Sequence, residues 1–280
     1  MGDTFQDAAL DAPADTDDID QSWGDWKGLP YLAGTYSVGF WINRDFTSSG
    51  NASPTGESTS YRMISPPAQI DFLYGAGASA ITPRAIISDP ESCNACHGDV
   101  VAHGNGRRGL KTCLLCHATP GFEDGPRFTI GGGTNPDFDA YATSFVPTSP
   151  GATMDFRQLL HKIHMGKELT QGSAYKVVGV FLGIPYGASY EEVGFPTLPA
   201  GVNDCAKCHG DGDAWKAPAA RVHPSATTPT RVWRAVCSSC HDAASSGAHI
   251  DVNSPLGVEA CATCHGAGMS EDVVKVHFPR

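Results

Sequence analysis

All ten cysteines of this 280-residue chain fall in five copies of one short pattern, C-x-x-C-H. The copies are CNACH (93–97), CLLCH (113–117), CAKCH (205–209), CSSCH (237–241) and CATCH (261–265), and no cysteine is left over for a disulfide. Two C-x-x-C pairs can build a zinc ribbon, and one pair can act as a redox dithiol. Neither use requires a histidine directly after the second cysteine. Histidine falls at a given position of this chain about 4 times in 100, so five in five by chance is on the order of one in ten million. C-x-x-C-H is the attachment sequence of c-type haem, in which the thiols form thioethers to the porphyrin and the histidine is the proximal iron ligand. The pattern therefore predicts five covalently bound haem c groups. Their attachment residues are Cys93, Cys96, Cys113, Cys116, Cys205, Cys208, Cys237, Cys240, Cys261 and Cys264, with His97, His117, His209, His241 and His265 as proximal ligands.

Each iron needs a sixth ligand. Outside the motifs stand six more histidines: His103, His161, His164, His223, His249 and His277. Five irons need at most five of them. His161 and His164 lie in FRQLLHKIHMG (156–166), where Phe156, Leu159, Leu160 and Ile163 follow a helical period and Thr153 and Asp155 suit the start. Spacing of i, i+3 puts both imidazoles on nearly one face. Two side chains so placed cannot both be the sixth ligand of one iron, so they are expected to serve two different haems. Met63, Met154, Met165 and Met269 are alternative distal ligands that would raise the potential, but the histidines suffice. All five haems are expected to be bis-histidine and low-potential. Iron so ligated has no open position, and it passes electrons rather than binding a small substrate.

The elements that must position these residues are read more coarsely. Residues 1–25 hold eight Asp and no basic residue, an acidic, solvated arm. DTDDID (15–20) lacks the Gly and closing Glu of a calcium loop. Residues 26–90 are expected to form a small all-β domain, split-barrel or sandwich-like. In GTYSVGFWI, Tyr36, Val38 and Phe40 alternate as on a half-buried strand, and AQIDFLYG and AITPRAIIS read as further strands. This part has no cysteine or histidine and is expected to be a scaffold or docking module. Residues 91–280 are expected to take a multihaem cytochrome c fold, mostly irregular with short α-helices. Five haems in so few residues leave little room for an ordinary core, so the porphyrins must act as the apolar interior. GGGT (131–134) lacks the Gly-Lys-Ser/Thr of a phosphate loop and reads as a turn.

Charge and hydropathy narrow the setting. Residues 1–92 carry net −9 and residues 93–280 net −2, together the −11 of the chain. Without a basic stripe, a nucleic-acid partner is not expected. No run approaches the length of a membrane span, so no transmembrane segment is expected. Covalent haem attachment in bacteria takes place outside the cytoplasm, so an exported protein is expected. Residues 1–20 are acidic and lack the apolar core of a signal peptide, which implies that the true N-terminus is missing or that the chain is a fragment.

CNACHGDVVAHGNGRRGLKTCLLCH (93–117) resembles the first two haem motifs of the outer-membrane multihaem cytochromes of the OmcA/MtrC type. That resemblance implies that His103, in the His-Gly after the first motif, is a distal ligand. FRQLLHKIHMG resembles the family's helix with paired distal histidines. CSSCHDAASSGAH and CATCHGAGMSEDVVKVH resemble its closing segments, which implies distal roles for His249 and His277. GTYSVGFWI and the strands after it resemble the end of the split β-barrel domain that precedes a pentahaem domain. Two departures stand out: family members usually carry two pentahaem and two β domains, and His223 has no place in the ligand pattern.

The resemblance implies extracellular electron transfer at the outer-membrane surface or beyond it. Electrons would pass to metal oxides, flavins or partner cytochromes. An alternative is a conductive filament (a nanowire) built of identical subunits, in which the surplus His223 could ligate a neighbour's haem. A third reading is a pentahaem reductase. The catalytic haem of such nitrite reductases uses C-x-x-C-K, and all five motifs here end in His, so no dedicated catalytic site is expected; outer-sphere metal reduction stays open.

Overall fold

The computed structural model describes residues 33–48, 59–83, 87, 89–117, 156–181, 184–197, 201–210, 232–255 and 258–277. The acidic arm, DTDDID, GGGT, Thr153, Met154, Asp155 and His223 lie outside them. The described residues divide into two compact units, one within 31–116 with 207–210, the other within 117–206 and 211–280.

In the first unit, β1 (Gly34–Phe40) pairs antiparallel with β4 (Ala68–Tyr74), and β2 (Asn43–Ser48) with β3 (Thr59–Ile64). Cross-strand aromatic pairs fix the registers: Tyr36 opposes Phe72, and Phe46 opposes Tyr61 with ring centres 5.4 Å apart. Arg62 also grips Asp45 with two hydrogen bonds, of 2.8 and 3.0 Å. Among the described residues these are separate two-stranded ribbons with no closed barrel. Residues 81–83 of the expected third strand are not in a strand, and 84–86 and 88 are outside the described residues.

The expected half-buried face of β1 is inverted. Val38 and Phe40 are exposed, as are Ile70 and Phe72 across the ladder. The opposite face carries Ser37, Gly39, Gln69 and Asp71, and Leu115 of the second haem motif packs against Gly39. A side chain at position 39 would fill Leu115's place, so the small residue decides which face turns inward. Asp71 accepts hydrogen bonds from Ser37 (2.6 Å) and Gln69 (2.8 Å), which hold its carboxyl below the usual range.

A short ribbon follows, β5 (Val101–Ala102) with β6 (Arg107–Arg108). In the second unit, β7 (Lys176–Phe181) pairs with β8 (Ile184–Ser189). The helices are short: α1 (Asn94–His97), α2 (Leu110–Cys113), α3 (Phe156–Met165), α4 (Ala206–His209), α5 (Val232–Cys237), α6 (Ala244–Val252), α7 (Ala262–His265) and α8 (Val273–His277). No described helix is long and apolar enough to cross a membrane.

The helix expected at 156–166 is α3, but its inward stripe differs. Phe156, Leu159 and Lys162 are buried, while Leu160 and Ile163 are half-buried. A buried lysine at i+3 from Leu159 rotates the packed face by about one residue relative to the apolar reading. Gly166 ends α3 at φ +40°, and a Cβ there would collide with the Val193 carbonyl oxygen and lie 2.8 Å from the Val193 Cβ. Gly166→Ala is therefore expected to destabilise the native protein by about 2–4 kcal/mol, from the left-handed backbone and the clash together. Gly247→Ala, inside α6 with nothing within 4 Å, should instead stabilise slightly. Urea unfolding of both variants checks the contrast; equal midpoints would contradict it.

Candidate haem-binding site

The motif C-x-x-C-H spans positions i, i+3 and i+4, which one helical turn brings to a single face. The chain builds such turns at the motifs in two ways. At motifs 1, 3 and 5 a four-residue helix begins just after the first cysteine, as α1, α4 and α7. At motifs 2 and 4 the first cysteine is the last residue of a helix, α2 or α5. Where the turn closes, the histidine N–H donates to the first cysteine's carbonyl: His241 to Cys237 at 2.8 Å and His265 to Cys261 at 2.9 Å. Two thiols and an imidazole therefore project together, as a haem edge and its iron require.

Burial acts on the thiols in one direction. It pushes Cys237 up to about 11 and Cys240 up to about 12, and raises Cys93, Cys113 and Cys261 as well. A redox dithiol or zinc site needs the thiolate within reach, which lowered values provide.

Histidines meet in pairs. His249 and His265 face each other with ring centres 6.2 Å apart and planes at 89°. His241 and His277 stand 6.0 Å apart at 63°. An imidazole nitrogen sits about 2.0–2.1 Å from a first-row metal, which puts the centres of two trans rings roughly 6.3 Å apart. Each couple joins a motif histidine to a non-motif one at that separation. Among the described residues no group of three or more His, Cys, Asp and Glu gathers as a metal-ion cage.

Hydrogen bonds orient several rings. The His277 Nδ1–H donates to the Val273 carbonyl (2.8 Å), that of His164 to the Leu160 carbonyl (2.8 Å) and that of His265 to the Glu271 carbonyl (3.0 Å). A carbonyl only accepts, so Nδ1 carries the proton and Nε2 keeps its lone pair for iron. Burial lowers the pKa of His209 and His241, and the nearby His277 and His265 lower His241 further; this favours the neutral ring that binds metal.

The closing segment is held by carboxylates. Asp272 accepts from the Val274 N–H (2.8 Å) and the Gly268 N–H (2.7 Å), capping α8 and aiming His277. Glu259, just before motif 5, accepts from the N–H groups of Trp233 (3.1 Å) and Arg234 (2.7 Å) on α5, which leads into motif 4. Arg234 also bonds Asp251 of α6, the helix of His249. Motifs 4 and 5 are thus locked to one another and to both non-motif histidines.

The remaining expected ligands lie elsewhere. His161 and His164 are half-buried on α3, where Phe195 meets the His164 ring edge-on at 5.7 Å. His117 stacks on Phe156 with centres 5.1 Å apart. His103 is exposed at the tip of the β5–β6 ribbon. There His103, Gly104 and Asn105 all take left-handed φ values of 54°, 62° and 61°. Non-glycine residues enter that region seldom, and such strain gathers at functional positions. Met63 and Met269 are exposed, and Met165 is half-buried. Sequence reading missed Asp242, Glu259, Asp272 and Lys162. Of these only Asp272 carried a local signal, an Asp directly before a short apolar-periodic run.

The family model of outer membrane cytochromes, MtrC/MtrF-like, domains II/IV, matches residues 84–278. No curated protein and no solved structure matches the chain.

Proposed function

This chain belongs to the MtrC/MtrF-like outer membrane cytochromes, and from that premise we propose that it carries five covalent haem c groups and conducts electrons at the cell exterior. The reading assigns 1–25 to an acidic arm, 26–90 to a β domain and 91–280 to the pentahaem domain. The ten motif cysteines anchor the groups, and His97, His117, His209, His241 and His265 are the proximal ligands. His103, His161, His164, His249 and His277 are the distal ligands. His161 and His164, three apart on α3, serve two different groups. Each haem, held by one motif and one non-motif histidine, would supply a one-electron couple.

The observation that carries this reading is the pair of histidine couples at 6.2 and 6.0 Å. A catalytic site at motif 4 or 5 would leave that motif's histidine without an opposing imidazole. These couples instead offer one imidazole for each face of an iron held at motif 4 or 5, which supports the bis-histidine reading there. The carbonyl-bound Nδ1 atoms fix the rings before the group is attached, so little reorganisation accompanies a change of charge. Acceptors of such a chain are metal oxides, flavins and partner cytochromes, reached by outer-sphere transfer.

The test is spectroscopic. The oxidised protein should show low-spin ferric signals alone, and the reduced form should bind little carbon monoxide. One stoichiometric high-spin haem would replace this reading with a reductase. A second arrangement, a filament of identical subunits, rests on six non-motif histidines for five irons. Electron microscopy of the native assembly separates the two.

A further inference from the structure

Two charged side chains are buried among the described residues, Lys162 and Asp242, and both lie at the fourth haem motif: Lys162 reaches the Ser238 carbonyl and Asp242 follows His241 in the chain. Lys162 is 2% exposed and sits between the two histidines of α3. Its Nζ lies 3.4 Å from the carbonyl oxygen of Ser238 and 5.1 Å from the centre of the Tyr175 ring. Ser238 and Ser239 are the two middle residues of CSSCH, and the Ser239 hydroxyl, fully buried, donates to the Ala235 carbonyl at 2.6 Å. Asp242 follows the motif directly. Its two carboxylate oxygens accept from the N–H groups of Thr170 and Gln171, each at 2.8 Å, and Gln171 returns a bond to the Asp242 carbonyl.

An apolar residue would suit position 162 better on packing alone. Phe156 and Leu159 precede it on the same buried stripe. A buried ammonium is costly unless it is paired, and replacing such a pair by apolar groups is often neutral or stabilising. Burial lowers the Lys162 pKa and nearby Asp242 opposes that, while the two groups that meet Nζ, a carbonyl oxygen and an aromatic face, both suit a cation. A cation held there lies against the turn that carries Cys237, Cys240 and His241.

We propose that Lys162 is a fixed cation that seats α3 on the fourth haem motif and raises the reduction potential of the group attached there. It is a positioning residue with an electrostatic effect. The inference rests on the haem reading above. Reduction adds one negative charge at the iron, and a nearby cation stabilises that state. Removing the cation must therefore move the midpoint to more negative values.

The experiment uses the holoprotein with Lys162→Met, which keeps length and apolar volume, and Lys162→Arg, which keeps charge. Haem number is counted by mass, and the five components are followed by spectroelectrochemical titration. In Lys162→Met one component should lose about tenfold in its reduced-to-oxidised ratio at fixed potential, a shift of about 59 mV for one electron. Lys162→Arg should leave all five in place. Five haems with no component moved in Lys162→Met, or an equal shift in both variants, would overturn the proposal. Fewer than five haems in the unsubstituted protein would instead break the haem reading.

A labelling measurement on the native protein covers the case in which Lys162→Met does not load. Acylation of surface amines should modify the exposed Lys167 and Lys275 at least about tenfold faster than Lys162. Equal labelling would overturn the buried-cation assignment by itself.

Discussion

Serine at both Cys261 and Cys264 will lower the haem content of the native protein from five to four, and serine at any other motif pair will do the same. The unsubstituted chain, 29.4 kDa by sequence, should weigh about 3 kDa more when five haems are attached. Each motif is its own turn, closed locally and supplying its own two thiols and imidazole, so one loss should not propagate through attachment chemistry. It should propagate through stability. Among the described residues only nine apolar side chains are buried, including Leu110, Leu159, Tyr175 and Ile250, a thin core for two compact units. A group bound by the folded chain alone adds its binding free energy to stability, so each four-haem variant should also melt earlier. Intact mass with thiol alkylation checks the count. Four or fewer haems in the unsubstituted protein, with alkylatable cysteines, would sink it.

Motif spacing could be read without a structure because it is covalent and local: i, i+3, i+4 lies on one face of any helical turn. The existence of α3 and of the β1 and β4 strands was legible for a similar reason, since short-range periodicity suffices. Burial was not. Tyr36, Val38 and Phe40 alternate as a buried face should, yet Val38 and Phe40 are exposed because Gly39 on the other face admits Leu115, 76 residues away in the chain. Lys162 reads as a surface residue of an amphipathic helix and is buried because Tyr175 and Ser238, the latter 76 residues away in the chain, meet it. The β7–β8 ribbon was missed for another reason. Its run KVVGVFLGIPYGAS has strand-like composition but lies in a region read only for its haem ligands. Counting histidines gave the number of distal ligands. Their partners depend on folds of the chain that no spacing rule encodes.

The partner assignment yields the second large effect. His277→Ala should open the haem at motif 4, and His249→Ala the haem at motif 5, each converting one low-spin centre to high-spin while the other four stay unchanged. The expected pairing follows the two facing couples: His277 stands 6.0 Å from His241, and His249 stands 6.2 Å from His265. Sequence proximity would pair them otherwise, because His249 follows motif 4 and His277 follows motif 5. The structural reason for the exchange is the lock formed by Glu259 on α5 and Arg234 on Asp251, which brings α6 against the segment of motif 5. Removing an axial imidazole should raise the potential of the opened centre and let carbon monoxide bind it at one equivalent. To learn which centre opens, each substitution is combined with loss of one motif pair. The high-spin signal of His277→Ala should vanish when Cys237 and Cys240 are replaced by serine, and persist when Cys261 and Cys264 are. For His249→Ala the two results should be reversed. If each signal instead vanishes with the motif nearer in sequence, the facing couples are not axial pairs, and the distal assignments at both motifs must be exchanged.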